Sequence, residues 1–597
     1  MSVPREKTQE RMDRLSAGTL RHTLSQRYTV ADRIEERAIS DADRPFLFYE
    51  DRVVTYADFN AAANRVAHAA LAAGLSCGDN AGLMMENRPE FIIAWAGLAK
   101  IGVTAALINT HVTGKPLVHA LAATEVRVVI VGGECLERFL ASGDDAAEGR
   151  DILVWPDGDC DASLETLPAG IRDFSTVLAE MPESNVDADS RGALTAGDDL
   201  FLIFTSGTTG LPKAARISQM RFLGVGDGMS DIAGYGPDDV VGCVLPLYHG
   251  AAGMVVVSSA LACGAAIAIA RRFSASGFWD FARRYDVTAW QYIGETCRYL
   301  LNQPPRDDDR DHSVRVMMGA GLGADIWERF QERFGIDRIL EGWSSTEANT
   351  NLINLDNRVG SCGRIPFKDR HNGRLIRFDV QTETHPRDEA GFCIECEPGE
   401  VGEFVGMILE LPDSGAGRFE GYASESETEA KILRGVFSEG DRWYRSGDLL
   451  REDEDGYFYF VDRIGDTFRW KSENVSTQEV AEALAEFPGV EIANVYGVKI
   501  AGADGRAGMA ALVLRDRAAF DEKAFFEFTE ERLPGYAAPV FVRLAGEADM
   551  TTTFKLRKVD LQREGYDSAK VADPLYVRDG AAGAYVPYVS GDPIPGV

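Results

Sequence analysis

The stretch Thr205-Ser206-Gly207-Thr208-Thr209-Gly210-Leu211-Pro212-Lys213 puts two glycines, four hydroxyl side chains and one lysine within nine positions. These residue types can hold phosphate: hydroxyls donate to its oxygens, lysine brings a point charge, and glycine gives the backbone freedom. The order is not that of the common nucleotide loop, GxxxxGK[ST]. Counted from Gly207, Pro212 falls where the second glycine belongs and Ala214 where the final hydroxyl belongs. Proline has no amide hydrogen to donate, so this backbone cannot cradle phosphate in that way. Freedom at Gly207 and Gly210, hydroxyls at Thr205, Ser206, Thr208 and Thr209 and the cation of Lys213 remain, and they suit a mobile clamp over a polyphosphate that leaves. Nine residues taken alone fit equally a hydroxyl-rich turn after the apolar run 200–204.

A second glycine cluster, "GAGLGA" at 319–324, matches GxGxxA, with Glu341 twenty residues beyond Gly321. On spacing it is a dinucleotide-binding fingerprint. The same backbone could instead line an adenine pocket, and glycine also recurs wherever a strand turns sharply into a helix.

These segments must be positioned by a large protein. A chain of 597 residues exceeds one hydrophobic core, so more than one domain is expected. The 62 basic and 94 acidic side chains leave a formal charge of −32, which repels nucleic acid at long range and argues against it as a partner. A polyanionic ligand must then be held by a few local cations, aimed amides and a metal ion. Nine scattered cysteines indicate a reducing compartment, and the single CxxC, Cys393 to Cys396, reads as part of a strand rather than half of a zinc site. The N-terminus is charged where a signal peptide is apolar, so the expected location is cytoplasmic. Residues 240–270 carry no Asp, Glu, Lys or Arg, but Pro246, His249 and four glycines interrupt them. They read as a buried helix over 251–263, a turn at Gly264 and a buried strand over 265–270, not a membrane span.

From about residue 50 to 400 short β-rich runs (128–131, 200–204, 314–318, 338–340) alternate with helical patterns, the signature of wound α/β layers. Residues 412–438, rich in Gly, Ser and Glu, read as an exposed excursion. After the strand "GYFYFV" (456–461) a smaller α+β unit begins. Ser476 with Glu479 caps a helix carrying Val480, Leu484 and Phe487, and Pro488 ends it. Strands over 492–498 and 509–514 and a helix over 520–532 follow, and the Gly/Pro-rich tail from Asp579 offers no core of its own.

Taken in order, "TSGTTGLPKAA" (205–215), "PLYHGAAGM" (246–254), "EGWSSTEAN" (341–349), "YRSGDL" (444–449), "VDRIGDTFRWKSENVS" (461–476) and "TTFKLRK" (552–558) resemble the core motifs of the adenylate-forming superfamily, which joins acyl-CoA synthetases, luciferases and peptide-synthetase adenylation domains. "LMMENRPEFIIAWAGLAKIGVTAALIN" (83–109), "QYIGETCRYLLN" (291–302) and "GRAGMAAL" (505–512) are similar to its fatty acid transport protein and very-long-chain acyl-CoA synthetase branch. The resemblance covers nearly the whole chain. It implies a large multi-layer α/β domain (1–461), a hinge (462–466, with Gly465 able to absorb a large backbone change) and a small mobile α+β domain with tail (467–597).

It also implies two steps. A carboxylate attacks the α-phosphorus of ATP, releasing pyrophosphate, and the thiol of coenzyme A then takes the acyl group from the adenylate. By matched position, Thr205, Ser206, Gly207, Thr208, Thr209 and Lys213 hold the departing pyrophosphate. Glu347 binds magnesium beside the phosphate-contacting Thr346, and Asp448 accepts the ribose hydroxyls with Arg463 nearby. Gly319, Gly321, Glu341 and Gly342 line the nucleotide, and Lys555 is the mobile catalytic lysine. His249, Gly294, Trp343, Lys471 and Ser472 face the acyl or pantetheine groups. Ser472 departs from the branch's glycine, and Ser344 and Ala348 depart from the superfamily's usual "GATEGN", though neither change removes a charge.

The expected function is therefore ATP- and magnesium-dependent ligation of a long or very long fatty acid, or a similarly apolar acid, to coenzyme A. Oligomer formation and peripheral contact with a membrane are left open. Three rivals stand beside it: fatty acid uptake without catalysis, acyl transfer to a carrier protein, and a nucleotide-dependent oxidoreductase resting on "GAGLGA".

Overall fold

The computed structural model describes residues 3–158, 167–168, 170–206, 211–471, 473–500, 505–516, 520–550 and 556–595, without the side chain of Ser206. Gly207, Thr208, Thr209, Ser472 and Lys555 lie outside the described residues.

Two wound sheets form the body. In the first, strands run in the order Ile171–Asp173, Asp151–Trp155, Val128–Gly132, Asn80–Met84, Thr104–Leu107, Asp199–Ser206 and Pro212–Ser218, parallel until the last pair, an antiparallel hairpin. In the second, Ala266–Ile269, Val240–Cys243, Ala289–Ile293, Val316–Ala320 and Arg338–Trp343 lie parallel at the centre. Helices Tyr56–Ala72, Pro89–Ala99 and Gln219–Ala233 lie between the two, and Leu83, Trp95, Phe222, Leu261 and Ile267 share one core with both sheets. A parallel strand covered on both faces needs apolar side chains in both directions, which explains runs such as Val128–Gly132 that do not alternate.

The residues 240–270 fold as the sequence indicates: a strand (Val240–Cys243), a helix ending at Cys263, a left-handed turn at Gly264 (φ 79°) and a strand Ala266–Ile269. The first turns, Gly250–Val256, are wound as a π-helix. No helix among the described residues is long and apolar enough to cross a membrane.

A third, antiparallel sheet contains Gly373–Arg377, Val401–Met407, Arg442–Glu452 and Tyr457–Arg463. The last of these runs two residues past the boundary expected at 461. Beyond it, a five-stranded sheet beginning with Val490–Val498 and Ala507–Leu514 packs with helices Thr477–Ala485 and Glu522–Arg532 around its own core of Phe468, Val495, Met509, Phe541 and Tyr585. The Oγ of Ser476 accepts the amide of Glu479 at 3.1 Å, the capping contact foreseen.

Three expectations are corrected. The tail is not coreless: Ala584–Pro587 pairs with Leu575–Asp579, and Tyr585 is 1% exposed with its hydroxyl on the carbonyl of Pro539. Cys393 lies in isolated bridges and not a strand, because the chain there crosses between neighbours instead of running along one. Residues 412–438 are not simply exposed. Tyr422 is buried, and its backbone is stitched to the hairpin strand Pro212–Ser218 through Arg216 to Gly421 and Ala423 to Ala214.

Candidate active site

The sequence motifs converge because the parallel strands of both sheets deliver them at their carboxyl ends, where wound sheets leave a crevice. Thr205 and Ser206 close Asp199–Ser206, Gly294 follows Ala289–Ile293, Gly319 lies at the end of Val316–Ala320, and Trp343 ends Arg338–Trp343. The stretch holding His249 follows Val240–Cys243.

Glu347 sits just past Trp343, in a turn closed by the amide of Ala348 on the carbonyl of Ser345 at 3.1 Å. Arg221 donates to the carbonyl of Ala348 at 2.9 Å, and Asn349 donates to those of Met407 and Gly417, each at 2.9 Å. The turn is therefore held from three directions, and the Glu347 side chain is buried. The hydroxyl of Tyr444 donates to Glu347 Oε1 at 3.2 Å and lies 2.8 Å from the hydroxyl of Ser345. The phenol of Tyr422 stands beside Glu347 and Thr205, and both act on it. Burial first, and the Glu347 charge second, push both phenols well above their ordinary pKa, so they stay protonated as donors.

Lys213 pairs with Thr205 in the hairpin register, and its Nζ lies 5.9 Å from the centre of the Tyr422 ring. The hydroxyl of Thr346 borders Gly250: a Cβ there would lie 3.9 Å from it. Thr205, Lys213, Thr346 and Glu347 thus occupy one neighbourhood. Tyr422 joins it, and so does Lys431, whose Nζ is 3.7 Å from Glu347 Oε1. Sequence reasoning missed both, since the acidic, serine-rich run around them masked a lone tyrosine and a lone lysine.

Asp448 lies on the strand Arg442–Glu452 that also carries Tyr444. Its Oδ2 accepts the indole N–H of Trp343 at 2.8 Å. Its strand partner is Arg463, with Nε 3.7 Å from Oδ1. Trp343 is packed edge-on to Phe404, at 5.0 Å between rings, and its polar edge serves Asp448. Gly447 (φ 79°) turns the chain between Ser446 and Asp448, and its amide donates at 3.0 Å to the fully buried Glu403.

The two glycine turns, at 294 and 321, nearly touch. A Cβ at Gly294 would fall 1.6 Å from the carbonyl oxygen of Gly321, itself at φ 83°. A Cβ at Gly319 would lie 2.2 Å from the carbonyl of Tyr292, and one at Gly342 would lie 3.1 Å from that of Leu352. Glu341, 4% exposed, lies beneath: it accepts the amides of Gly321 and Leu322 and the hydroxyl of Tyr292. Burial pushes its carboxyl up to about 8 against those hydrogen bonds. The expected contact of Glu341 with a nucleotide is corrected by this geometry, because its oxygens are spent on shaping the turn. The dinucleotide fingerprint fails for the same reason, having no free carboxylate for a ribose.

His249 caps the π-helix, its carbonyl accepting the amide of Gly253 at 2.8 Å and its ring 4.6 Å from that of Tyr248. Lys471 is exposed at the turn between Phe468–Trp470 and Glu473–Val475, with φ 51°.

The AMP-binding enzyme family matches residues 34–400, and its C-terminal domain matches 479–555. The chain belongs to the AMP-binding enzymes. Among AMP-binding enzymes and their relatives, it is 37% identical to long-chain fatty acid transport protein 6 of Mus musculus over 94% of this chain and 89% of that protein. It is 39% identical to the medium/long-chain-fatty-acid–CoA ligase FadD6 of Mycobacterium tuberculosis over the same shares. The fold matches the anthranilate CoA ligase AuaEII in complex with anthranoyl-AMP, with TM-score 0.74 and 22% identity over 91% of this chain and 97% of that one. ATP-bound MatB from Rhodopseudomonas palustris gives TM-score 0.71 and 21% identity over 89% and 98%.

Proposed function

We propose that this AMP-binding enzyme joins a long-chain fatty acid to coenzyme A through an acyl-adenylate, with release of pyrophosphate and AMP. The observation that carries the reading is the meeting of three motifs across one crevice: Tyr422 stands beside both Lys213 and Glu347, Tyr444 joins Glu347 to the Asp448 strand, and Trp343 holds Asp448. The curated relatives named for fatty acid ligation and transport supply the substrate class.

In this reading Thr205 and Lys213 hold the β- and γ-phosphates, the carboxylate oxygens of Asp448 take the ribose hydroxyls, and Arg463 lies beside them. Glu347 is a buried single carboxylate among hydroxyls, and no group of three or more ligating side chains is gathered among the described residues. Such a donor set fits magnesium, which keeps water and phosphate ligands and needs only one or two carboxylates; Glu347 would hold it, beside Thr346. When bound, the ion neutralises charge that builds on the triphosphate oxygens. Thr205 and Thr346 orient the phosphates, and the Gly294–Gly321 contact leaves a flat backbone surface for the base. Lys555 provides the charge that lets the acyl carboxylate approach the α-phosphorus.

Rotation of the unit 467–597 about 462–466 separates the two steps. Gly465 has φ 93° and no atom within 4 Å of where a Cβ would stand, so it turns without obstruction. Gly465→Pro, which cannot adopt that φ, is expected to lower the two half-reactions unequally.

The deciding experiment is carboxylate-dependent exchange of labelled pyrophosphate into ATP with acids of increasing chain length, followed by detection of the coenzyme A thioester. Exchange with long-chain acids is expected, and no exchange with any acid ends the proposal. In cells, loss of uptake in Lys555→Ala assigns transport to trapping by ligation, and unchanged uptake assigns it to a role without catalysis.

A further inference from the structure

Lys431 has no place in the roles above, yet its ammonium lies between the two loops on which they depend. Its Nζ is 3.4 Å from the carbonyl oxygens of Arg445 and of Ser446, the residues leading into Gly447 and Asp448. The same atom is 3.7 Å from Glu347 Oε1 and 5.7 Å from the centre of the Tyr444 ring. Its backbone is fixed as well, with the carbonyl of Lys431 accepting the amide of Arg445 at 2.8 Å. Among the described residues it is the cation paired with Glu347 within 4 Å. The Lys431 side chain is 27% exposed and that of Glu347 8%, so the pair is screened only in part.

A carboxylate buried among hydroxyls is costly without a counter-charge, and one that awaits a divalent ion must have another partner until the ion comes. An ammonium on a flexible four-carbon stem suits that task, because it can leave with little rearrangement. We propose that Lys431 is a positioning residue that stands in for the divalent ion: it ties Glu347 to the Arg445–Ser446 backbone, keeps the metal-side and ribose-side loops in register, and gives up the carboxylate when a metal–nucleotide complex arrives. The inference rests on the reading of Glu347 as the metal-side carboxylate. It makes Lys431 a competitor of the ion and a support for the empty site at once.

The test uses Mn2+ as the probe, titrated by electron paramagnetic resonance into the full chain holding α,β-methylene-ATP, with kcat and KM for ATP measured in parallel. Loss of a part-exposed ion pair of this kind corresponds to about fivefold in affinity. Lys431→Met is therefore expected to bind Mn2+ about fivefold more tightly than the parent while its kcat/KM for ATP falls. Lys431→Arg is expected to stay near the parent in both. Unchanged or weaker Mn2+ binding in Lys431→Met overturns the proposal. Lys431→Gln replaces the methionine variant if the latter does not fold. Glu347→Gln in the parent is the reference. If it leaves Mn2+ affinity unchanged, the reading of Glu347 fails and takes this inference with it. If it weakens Mn2+ binding and Lys431→Met changes nothing, the stand-in role alone fails.

Discussion

Trp343 and Asp448, 105 residues apart, meet through one indole N–H to carboxylate hydrogen bond of 2.8 Å. It fixes one oxygen of the Asp448 carboxylate, whose other oxygen lies 3.7 Å from Arg463 Nε. Removing a hydrogen bond to a charged group costs about 1.5–3 kcal/mol where the partner is left buried. Trp343→Phe is expected to raise KM for ATP by about tenfold with a smaller effect on kcat, and Asp448→Asn to raise it further. Steady-state kinetics against ATP at saturating acid checks both.

Tyr422→Phe removes the hydroxyl beside Thr205 and Glu347 while keeping the ring beneath Lys213. The expected result is a fall of about tenfold in kcat for pyrophosphate exchange, from roughly 1.4 kcal/mol of lost polar interaction, with a higher magnesium requirement. An unchanged magnesium dependence would remove Tyr422 from the site.

At Gly294 an added methyl would strike the Gly321 carbonyl oxygen at 1.6 Å, a backbone atom that cannot swing aside. Gly294→Ala is expected to destabilise the large domain by about 3 kcal/mol and to weaken ATP binding together with it. Thermal melting and nucleotide titration on the same sample test the link.

Burial pushes the Glu341 carboxyl up to about 8 in the folded protein from an ordinary value of 4.5, so between these values the native state holds a proton that the unfolded chain releases. Stability from this group is fully present below pH 4.5 and is lost as pH rises toward and through about 8. Glu341→Gln, neutral at every pH, is expected to flatten the fall in melting temperature between pH 5 and 8 relative to the parent. Equal slopes in the two proteins would show that Glu341 is ionised at neutral pH.

Much of the site was legible because its motifs are local and ordered. The hydroxyl loop, "SSTEAN", "YRSGDL" and "DRIGD" each keep their chemistry within a few residues, and the strands that carry them betray themselves by short apolar runs. The helix at 251–263 and the capped helix after Ser476 were readable for the same reason. Glu341 was misjudged because spacing from a glycine cluster records how far along the chain a carboxylate lies, not whether the cluster's own amides consume it.

By itself the sequence determined the family, the order of the elements and the groups proposed to meet phosphate and ribose, since these depend on residue type and near-neighbour spacing. Only the tertiary structure decided which side chains complete the site. Tyr422 and Lys431 come from a segment whose composition indicates solvent, and they reach Glu347 because the backbone of that segment is hydrogen-bonded to the Pro212–Ser218 hairpin strand and to Arg445. Contacts of that kind are set by packing and pairing over scores or hundreds of residues, and no local pattern encodes them.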